Sequence, residues 1–390
     1  MKNLETLIQE LCPDGVEFVK LGDVCEIKRG IRVVKKDLQE TGKIPVYQNS
    51  LVPLGYKDEF NYPSNVAFVI SAGAAGDVGY SQVPFWAADD CLTITCPSNI
   101  ENKYVYYFLK NYEYKLKSKV RKASIPRLSR KVVDDLEFPL PPIEVQTEIV
   151  RILDKFTSLE AELEAELDCR KRQYEYYRDK LLSFDNVGGQ EVEWKKIGEF
   201  CDTLSGFPFD SSKFQTSGIK LMRGKNVKRG YFDFNEDDDR YWESPDGLEK
   251  YLLQDKDIII SMDGSLVGKS FAMLSKKHLP LLLVQRVARV RAKSVNQNYL
   301  FHNIAHRFSG YVDKKKTGGA IPHVSMKDIQ NFSIPVPSLQ EQERIANILD
   351  RFESLTTSLQ SGLPAEIAAR RQQYEHYRDK LLTFKRKGAA

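Results

Sequence analysis

Apolar positions recur at steps of three, four or seven through residues 149–181: Ile149, Ile152, Leu153, Phe156, Leu159, Leu163, Leu167, Tyr174, Tyr177 and Leu181. A seam of this spacing, flanked by Gln and Glu, predicts one long helix of coiled-coil type. Pro142 stands just before it, where a helix can begin, and no Gly or Pro interrupts residues 143–187. About 40 residues at 1.5 Å each make a rod of roughly 60 Å. A second seam reads Ile345, Leu349, Phe352, Leu355, Leu359, Leu363, Ile367, Tyr374, Tyr377 and Leu381. It carries one additional four-residue step, about 400° of helix, so the seam is expected to return to nearly the same face and the rod to lengthen by a turn. Gly362 and Pro364 lie inside it. Proline removes a backbone hydrogen bond, so a kink or broken turn is expected near Gly362.

The rest of the chain has the shorter period of strands. NVAFVISAG (65–73) and KDIIISMDG (256–264) are buried-strand patterns ending in glycine turns, and CLTITCP (91–97) alternates. RVARVRA (286–292) alternates apolar residues with Arg, which predicts a strand with one charged face. Helical patterns cover 102–119 and 296–312. Each globule is expected to be α+β with a twisted, mainly antiparallel sheet.

The two halves repeat one another. QYEYYRDKLLSF (173–184) returns as QYEHYRDKLLTF (373–384). FPLPPIEVQTEIVRILDKFTSL (138–159) parallels IPVPSLQEQERIANILDRFESL (334–355), and VEFVKLGDVCEIKRG (16–30) parallels VEWKKIGEFCDTLSG (192–206). A repeat of this length sets the architecture before any local detail does. It predicts a first globule over 1–143, a helix over 144–184, a second globule over 185–338, a second helix over 339–384 and a tail over 385–390. The two helices are expected to pack antiparallel and bury their seams. The N-terminal segment LETLIQELCPDGVEF resembles the stretch ending the first helix, so the second helix should end near the N-terminus in a pseudo-cyclic arrangement.

Composition changes this picture little. Lys and Arg number 58 against 54 Asp and Glu, a net charge of +4, so bulk charge alone does not imply nucleic acid. The distribution is more informative: KLKSKVRKASIPRLSRK (115–131) holds eight basic residues and no acid. No apolar run reaches the roughly 18 residues of a membrane span, and the N-terminus lacks an apolar signal core, which suggests a cytoplasmic protein. The six cysteines form no C-x-x-C pair and the histidines do not cluster beside them, so no metal site is expected.

Several stretches imitate catalytic motifs. GSLVGKS (264–270) has three residues where a phosphate loop needs four and is expected to be a hairpin turn. DFNEDDD (233–239) lacks the glycine and glutamate of a calcium loop and is expected to be a solvated acidic loop. Asp14, Glu26 and Lys28 have the spacing of a metal-dependent nuclease, but the second half places Leu204 where Lys28 stands in the first. No catalytic residues are assigned.

The segment PLPPIEVQTEIVRILDKF (139–156) with its copy, and both Y-x-x-R-D-K-L-L segments, resemble the specificity subunits of Type I restriction–modification systems. The LEAELEAELD tract (159–168) is similar to that family's helical spacer. The resemblance spans the chain and implies two target recognition domains, each reading half of an asymmetric, two-part DNA site. The paired helices would set the spacing and dock two modification subunits, with two restriction subunits joining the core. Methylation with S-adenosylmethionine, and cleavage with ATP and Mg2+, would belong to those partners, leaving this subunit non-catalytic and without cofactor. Two rival readings are a DNA nuclease using Asp14, Glu26 and Lys28, and a purely structural coiled-coil scaffold.

Under this resemblance the residues expected to contact DNA are first Lys117, Lys119, Arg121, Lys122 and Arg127. Their second-half equivalents are Lys314, Lys315, Lys316 and His323, with Gly318 and Gly319 letting backbone approach phosphate. Both sets border an I-P element at the same place in the repeat. A second group is Lys28, Arg29, Arg32, Lys35 and Lys36, with Arg223, Lys225, Asn226 and Lys228. A basic run is ordinarily a solvated face; its recurrence in both halves argues for more.

Overall fold

The computed structural model describes residues 4–184, 192–315, 322–357 and 362–388. The chain divides into two compact units, Met1–Ala165 with Glu366–Ala390, and Glu166–Ala365.

In the first unit a four-stranded antiparallel sheet runs in the order Glu26–Arg29, Cys91–Thr95, Val66–Ile70, Val78–Ser81. Val66–Ile70 is flanked on both sides and buried at every position, which is why its sequence is a continuous apolar run. A smaller sheet orders Gly55–Lys57, Ile44–Tyr47 and Trp86–Ala87, the last pair parallel. Glu17–Lys20 pairs antiparallel with Glu137–Leu140. The second unit repeats all three sheets. Cys201–Ser205, Val287–Ala292, Ile258–Ser261 and Phe271–Met273 form the larger; Tyr241–Trp242, Ile219–Met222 and Leu281–Leu283 the smaller; Trp194–Lys196 pairs with Ser333–Pro335. The α+β, mainly antiparallel expectation holds in both units.

Helix Asn102–Asn111 covers the first sheet and Gln297–Asp313 the second. Tyr104 and Tyr299 occupy equivalent buried places; their hydroxyls donate to Pro139 O (3.2 Å) and Pro335 O (2.9 Å). A glutamine joins each globule to its long helix. Gln146 accepts from Glu101 N (2.9 Å) and donates to Pro141 O (2.7 Å). Gln342 accepts from Asn296 N (2.8 Å) and donates to Pro337 O (2.8 Å). Both are essentially fully buried, so each satisfies backbone groups that water cannot reach. This is the physical content of the repeated proline–glutamine motif.

The first long helix runs unbroken over Ile143–Ser183, 41 residues. In the first unit it packs antiparallel to Leu363–Leu381: Phe156 stacks on Tyr377, and Arg371 pairs with Glu160 and with Glu164 (2.5 Å). In the second unit Tyr174 and Tyr177 meet Phe352, while Leu182 shares a core with Ile345 and Leu349. The seam is not uniform. Ile149 and Leu153, like Ile345 and Leu349, are fully buried, but in the cores of their globules. Phe156, Leu163, Leu167, Tyr174, Leu181, Phe352, Leu363, Tyr374 and Leu381 are half-buried, because a helix pair covers only one face. Ile367, Leu182 and Leu382 are buried. Leu355 is exposed and Thr356 takes its place inside.

The second seam is carried by two described helices rather than one. The second helix ends at Thr357 and a separate helix begins at Leu363, with Gly362 at φ +81° and Pro364 in the new first turn. The break expected near Gly362 is met by the left-handed glycine and by Pro364 in the first turn of the following helix, where proline is tolerated; Leu359 lies outside the described residues.

The chain ends meet inside the first unit, as the pseudo-cyclic reading expects. Leu4, Cys12, Val16 and Leu382 share one core. Val16 N donates to Lys385 O (2.8 Å), Lys387 N to Val16 O (2.9 Å), and Arg386 pairs with Glu137 (2.8 Å).

Candidate nucleic-acid interface

The larger sheet of the first unit gathers the candidate cations at one end. Ile70 lies opposite Cys91 and Arg29 opposite Leu92. The segment following Arg29 therefore leaves the sheet beside the turn that follows Ile70. That turn receives the basic loop: Ala72 bridges Arg127, Gly73 N donates to Pro126 O (3.2 Å), and Leu128 N to Ser71 O (2.8 Å). Strand register thus places residues 29–32 and 121–127, almost a hundred positions apart, at the same end of one sheet.

The loop itself is a hairpin. Arg121 N donates to Arg127 O (2.8 Å) and Arg127 N to Arg121 O (3.2 Å). All seven residues between and including them are exposed. Lys119, Arg121, Lys122 and Arg127 have no side-chain partner among the described residues, nor do Arg29, Arg32, Lys35 and Lys36. Exposed, unpaired cations are what phosphate neutralisation requires. Lys117 differs. It bridges Asp77 (2.8 Å) and Glu113 (2.9 Å), which raise its pKa and tie the helix Glu113–Ser118 to the sheet-end turn. Lys28 pairs with Glu26 at 2.7 Å.

The second unit uses the same anchor with different charges. Asp263 bridges His323, Gly264 N donates to Pro322 O (3.3 Å), and Val324 N to Met262 O (2.9 Å). His323 pairs with Asp263, which also holds Arg286 at 3.2 Å. Lys225 sits on Asp238 and Lys228 near Asp233 (3.7 Å). Burial lowers the pKa of both Arg223 and Lys225, with neighbouring guanidinium groups adding to it. Asn226 is only 3% exposed and spent internally, accepting from Arg223 N (3.1 Å) and donating to Asp233 O (2.9 Å). Lys314 and Lys315 are exposed at the end of Gln297–Asp313. Lys316, Gly318 and Gly319 lie outside the described residues.

The stretches that imitate catalytic motifs take structural roles. GSLVGKS closes a hairpin between Ile258–Ser261 and Phe271–Met273, with Gly264 at φ +109° and Val267 N donating to Gly264 O. The acidic loop is not wholly solvated: Asp239 is buried and takes Lys220 at 2.7 Å. Within 286–292, Arg286 is exposed while Arg289 and Arg291 are engaged by acids. Arg289 is 4% exposed and pairs with Asp202; Arg291 makes two bonds (2.6 and 2.7 Å) to the fully buried Asp257. Asp14 and Glu26 join no three-residue ligand group; among the described residues the one such group is His302, Asp350 and Glu353. There Asp350 is engaged by His302 and Asn298, both at 2.6 Å. The equivalent Asp154 takes Lys103 (2.7 Å) and the Tyr107 hydroxyl (2.5 Å). These contacts tie each globule to its long helix.

One α+β fold is present twice, each copy sharing in a helical pair and carrying loops at one sheet end, which defines a duplicated two-domain protein. The chain belongs to the Type I restriction modification DNA specificity domain family, whose model matches residues 13–168 and 190–369. It is 34% identical over 408 aligned positions to the EcoR124I/EcoR124II specificity subunit of Escherichia coli, covering 98% of this chain and 97% of that protein. In structure it resembles the S subunit of a Type I system from M. genitalium, with TM-score 0.61 and 16% identity over 94% of this chain and 95% of that one. A second solved chain, from work on complex assembly and conformational transition of the type I R-M system, matches with TM-score 0.56 and 18% identity over 95% and 98%. The protein is thus a specificity subunit with two target recognition domains, and neither rival reading gains support. No helix among the described residues is long and apolar enough to cross a membrane.

Proposed function

We propose that this subunit reads an asymmetric, two-part DNA site, one part per recognition domain, and is itself non-catalytic. The observation carrying this reading is the exposed, unpaired cation set at the sheet end of the first domain, held by an anchor that recurs in the second. Non-identical loops on one repeated frame imply unlike half-sites. Base edges supply sequence information while Lys and Arg neutralise phosphates and fix register.

The helical pairs hold the half-sites at a set separation and dock two modification subunits, with two restriction subunits joining in the cytoplasm. S-adenosylmethionine, ATP and Mg2+ act in those partners. Assembly is supported by the structural neighbour described in terms of type I complex assembly. The reading is tested by expressing the chain with its modification subunit and mapping methylated adenines in host DNA. A two-part motif that appears only with this gene is expected. An uninterrupted motif, or none, overturns the reading; DNA cleavage by the purified chain with Mg2+ alone overturns its non-catalytic part.

A further inference from the structure

The hairpin at 121–127 has more order and more apolar surface than a phosphate clamp requires. Lysines on a mobile loop would neutralise phosphate equally well. Here the loop is closed by two backbone hydrogen bonds between Arg121 and Arg127, and its returning strand is bonded to Ser71 and Gly73. Pro126 restricts the backbone next to the tip. The exposed run stops abruptly at Leu128, which is buried, so the hairpin projects from a fixed base. On its tip, beside Pro126, stands Ile125, 53% exposed. A single exposed isoleucine is ordinary. One on a pre-ordered projection, ringed by Lys119, Arg121, Lys122 and Arg127 without acid partners, is an apolar point aimed at a polyanion.

We infer that this hairpin is a base-reading element of the first recognition domain, entering the major groove with Ile125 against a thymine methyl group. The inference rests on the DNA-reading role proposed above. The major groove, about 12 Å wide, admits a two-stranded ribbon, and it alone displays the thymine C5-methyl, which apolar side chains recognise. The basic residues at the base of the hairpin reach the flanking phosphates. Order in the free protein reduces the cost of fixing the loop on DNA. The second domain keeps the anchor through Pro322 and Gly264 and has Ile321 where the first has Ile125, but carries His323 in place of Arg127. With the isoleucine present in both halves, the side chains beside it, Arg127 and His323, are where the two frames differ.

The test uses the full chain with its modification subunit and the site mapped by methylation. Ile125→Ala is expected to lower the ratio of cognate to non-cognate affinity about tenfold, the scale of a single base contact, with an unchanged melting temperature. Lys122→Ala is expected to weaken cognate and non-cognate DNA alike. Replacing thymines of the first half-site one at a time with deoxyuridine removes only the methyl. One such position should weaken the unmodified protein and leave Ile125→Ala unaffected. Equal loss in both proteins at every position, an unchanged specificity ratio in Ile125→Ala, or a first half-site without thymine overturns the inference. Absence of any specific DNA binding by the unmodified complex instead overturns the proposed function beneath it.

Discussion

Phe156 stacks on Tyr377 with ring centroids 5.4 Å apart and planes 24° from parallel. In the other unit Phe352 and Tyr177 repeat the contact at 5.7 Å and 26°. Each pair joins the phenylalanine of one repeated motif to the tyrosine of the other. The duplication is therefore kept at the level of single side chains, and each helical pairing is closed by the same aromatic lock. Stacked pairs contribute about 1 kcal/mol beyond the area they bury. A double-mutant cycle on Phe156→Ala and Tyr377→Ala should give a coupling of about that size in thermal unfolding. Strictly additive losses would count against the lock.

Gln146 is the buried joint between the first globule and its helix. Gln146→Leu keeps the volume but leaves Glu101 N and Pro141 O without partners. The expected cost is about 2–4 kcal/mol, read as a lower unfolding midpoint in denaturant. A neutral outcome would mean water reaches both groups.

Ser325 caps helix Met326–Asn331, accepting from Asp328 N while Asp328 accepts from Ser325. The serine hydrogen bond is the main cause of the lowered pKa of Asp328. A carboxylate whose folded pKa lies below its unfolded value, about 3.9, stabilises the fold above that pH. Its contribution fades as pH falls through the lower folded value. Ser325→Ala should cost about 1 kcal/mol near neutrality. Its difference from the unmodified protein should narrow below about pH 4, followed by melting temperature across a pH series.

Arg121, Lys122 and Arg127 are free cations on one hairpin. Replacing all three with Ala should flatten the dependence of log affinity on log salt by roughly 2–3, near 0.9 for each phosphate no longer neutralised. The same comparison applied to Lys314 and Lys315 measures the second domain. An unchanged slope assigns phosphate neutralisation elsewhere.

Deleting Leu163–Glu166 removes just over one helical turn, about 6 Å, and rotates the C-terminal part of the helix by about 40° net. That rotation is close to the roughly 35° between successive base pairs. Methylation mapping should return both half-sites with a shorter unread spacer. Altered half-sites at constant spacing would argue against the helices as the ruler. The deletion also removes Glu164, a partner of Arg371, so some loss of stability accompanies it.

Features local in sequence determined the helical seams, the duplication and the break. The recurrence of Leu and Tyr gave the seams, and Gly362 with Pro364 marked where the second helix stops, because helix continuity depends on neighbours in sequence. The family was legible for the same reason, in the repeated proline–glutamine and tyrosine–arginine–aspartate segments. Tertiary structure decided which charges are available. Arg289 and Arg291 look solvated in an alternating strand, yet Asp202 and Asp257 reach them across the sheet. Lys117 belongs to the basic run but is held by Asp77 and Glu113, whereas Arg121 and Arg127 stay free. The placing of residues 29–32 and 121–127 at one sheet end, and the globule cores that claim Ile149 and Leu153, depend on strand register and packing. Those are long-range pairings with no local period, so a pattern read along one dimension carries no signal of them.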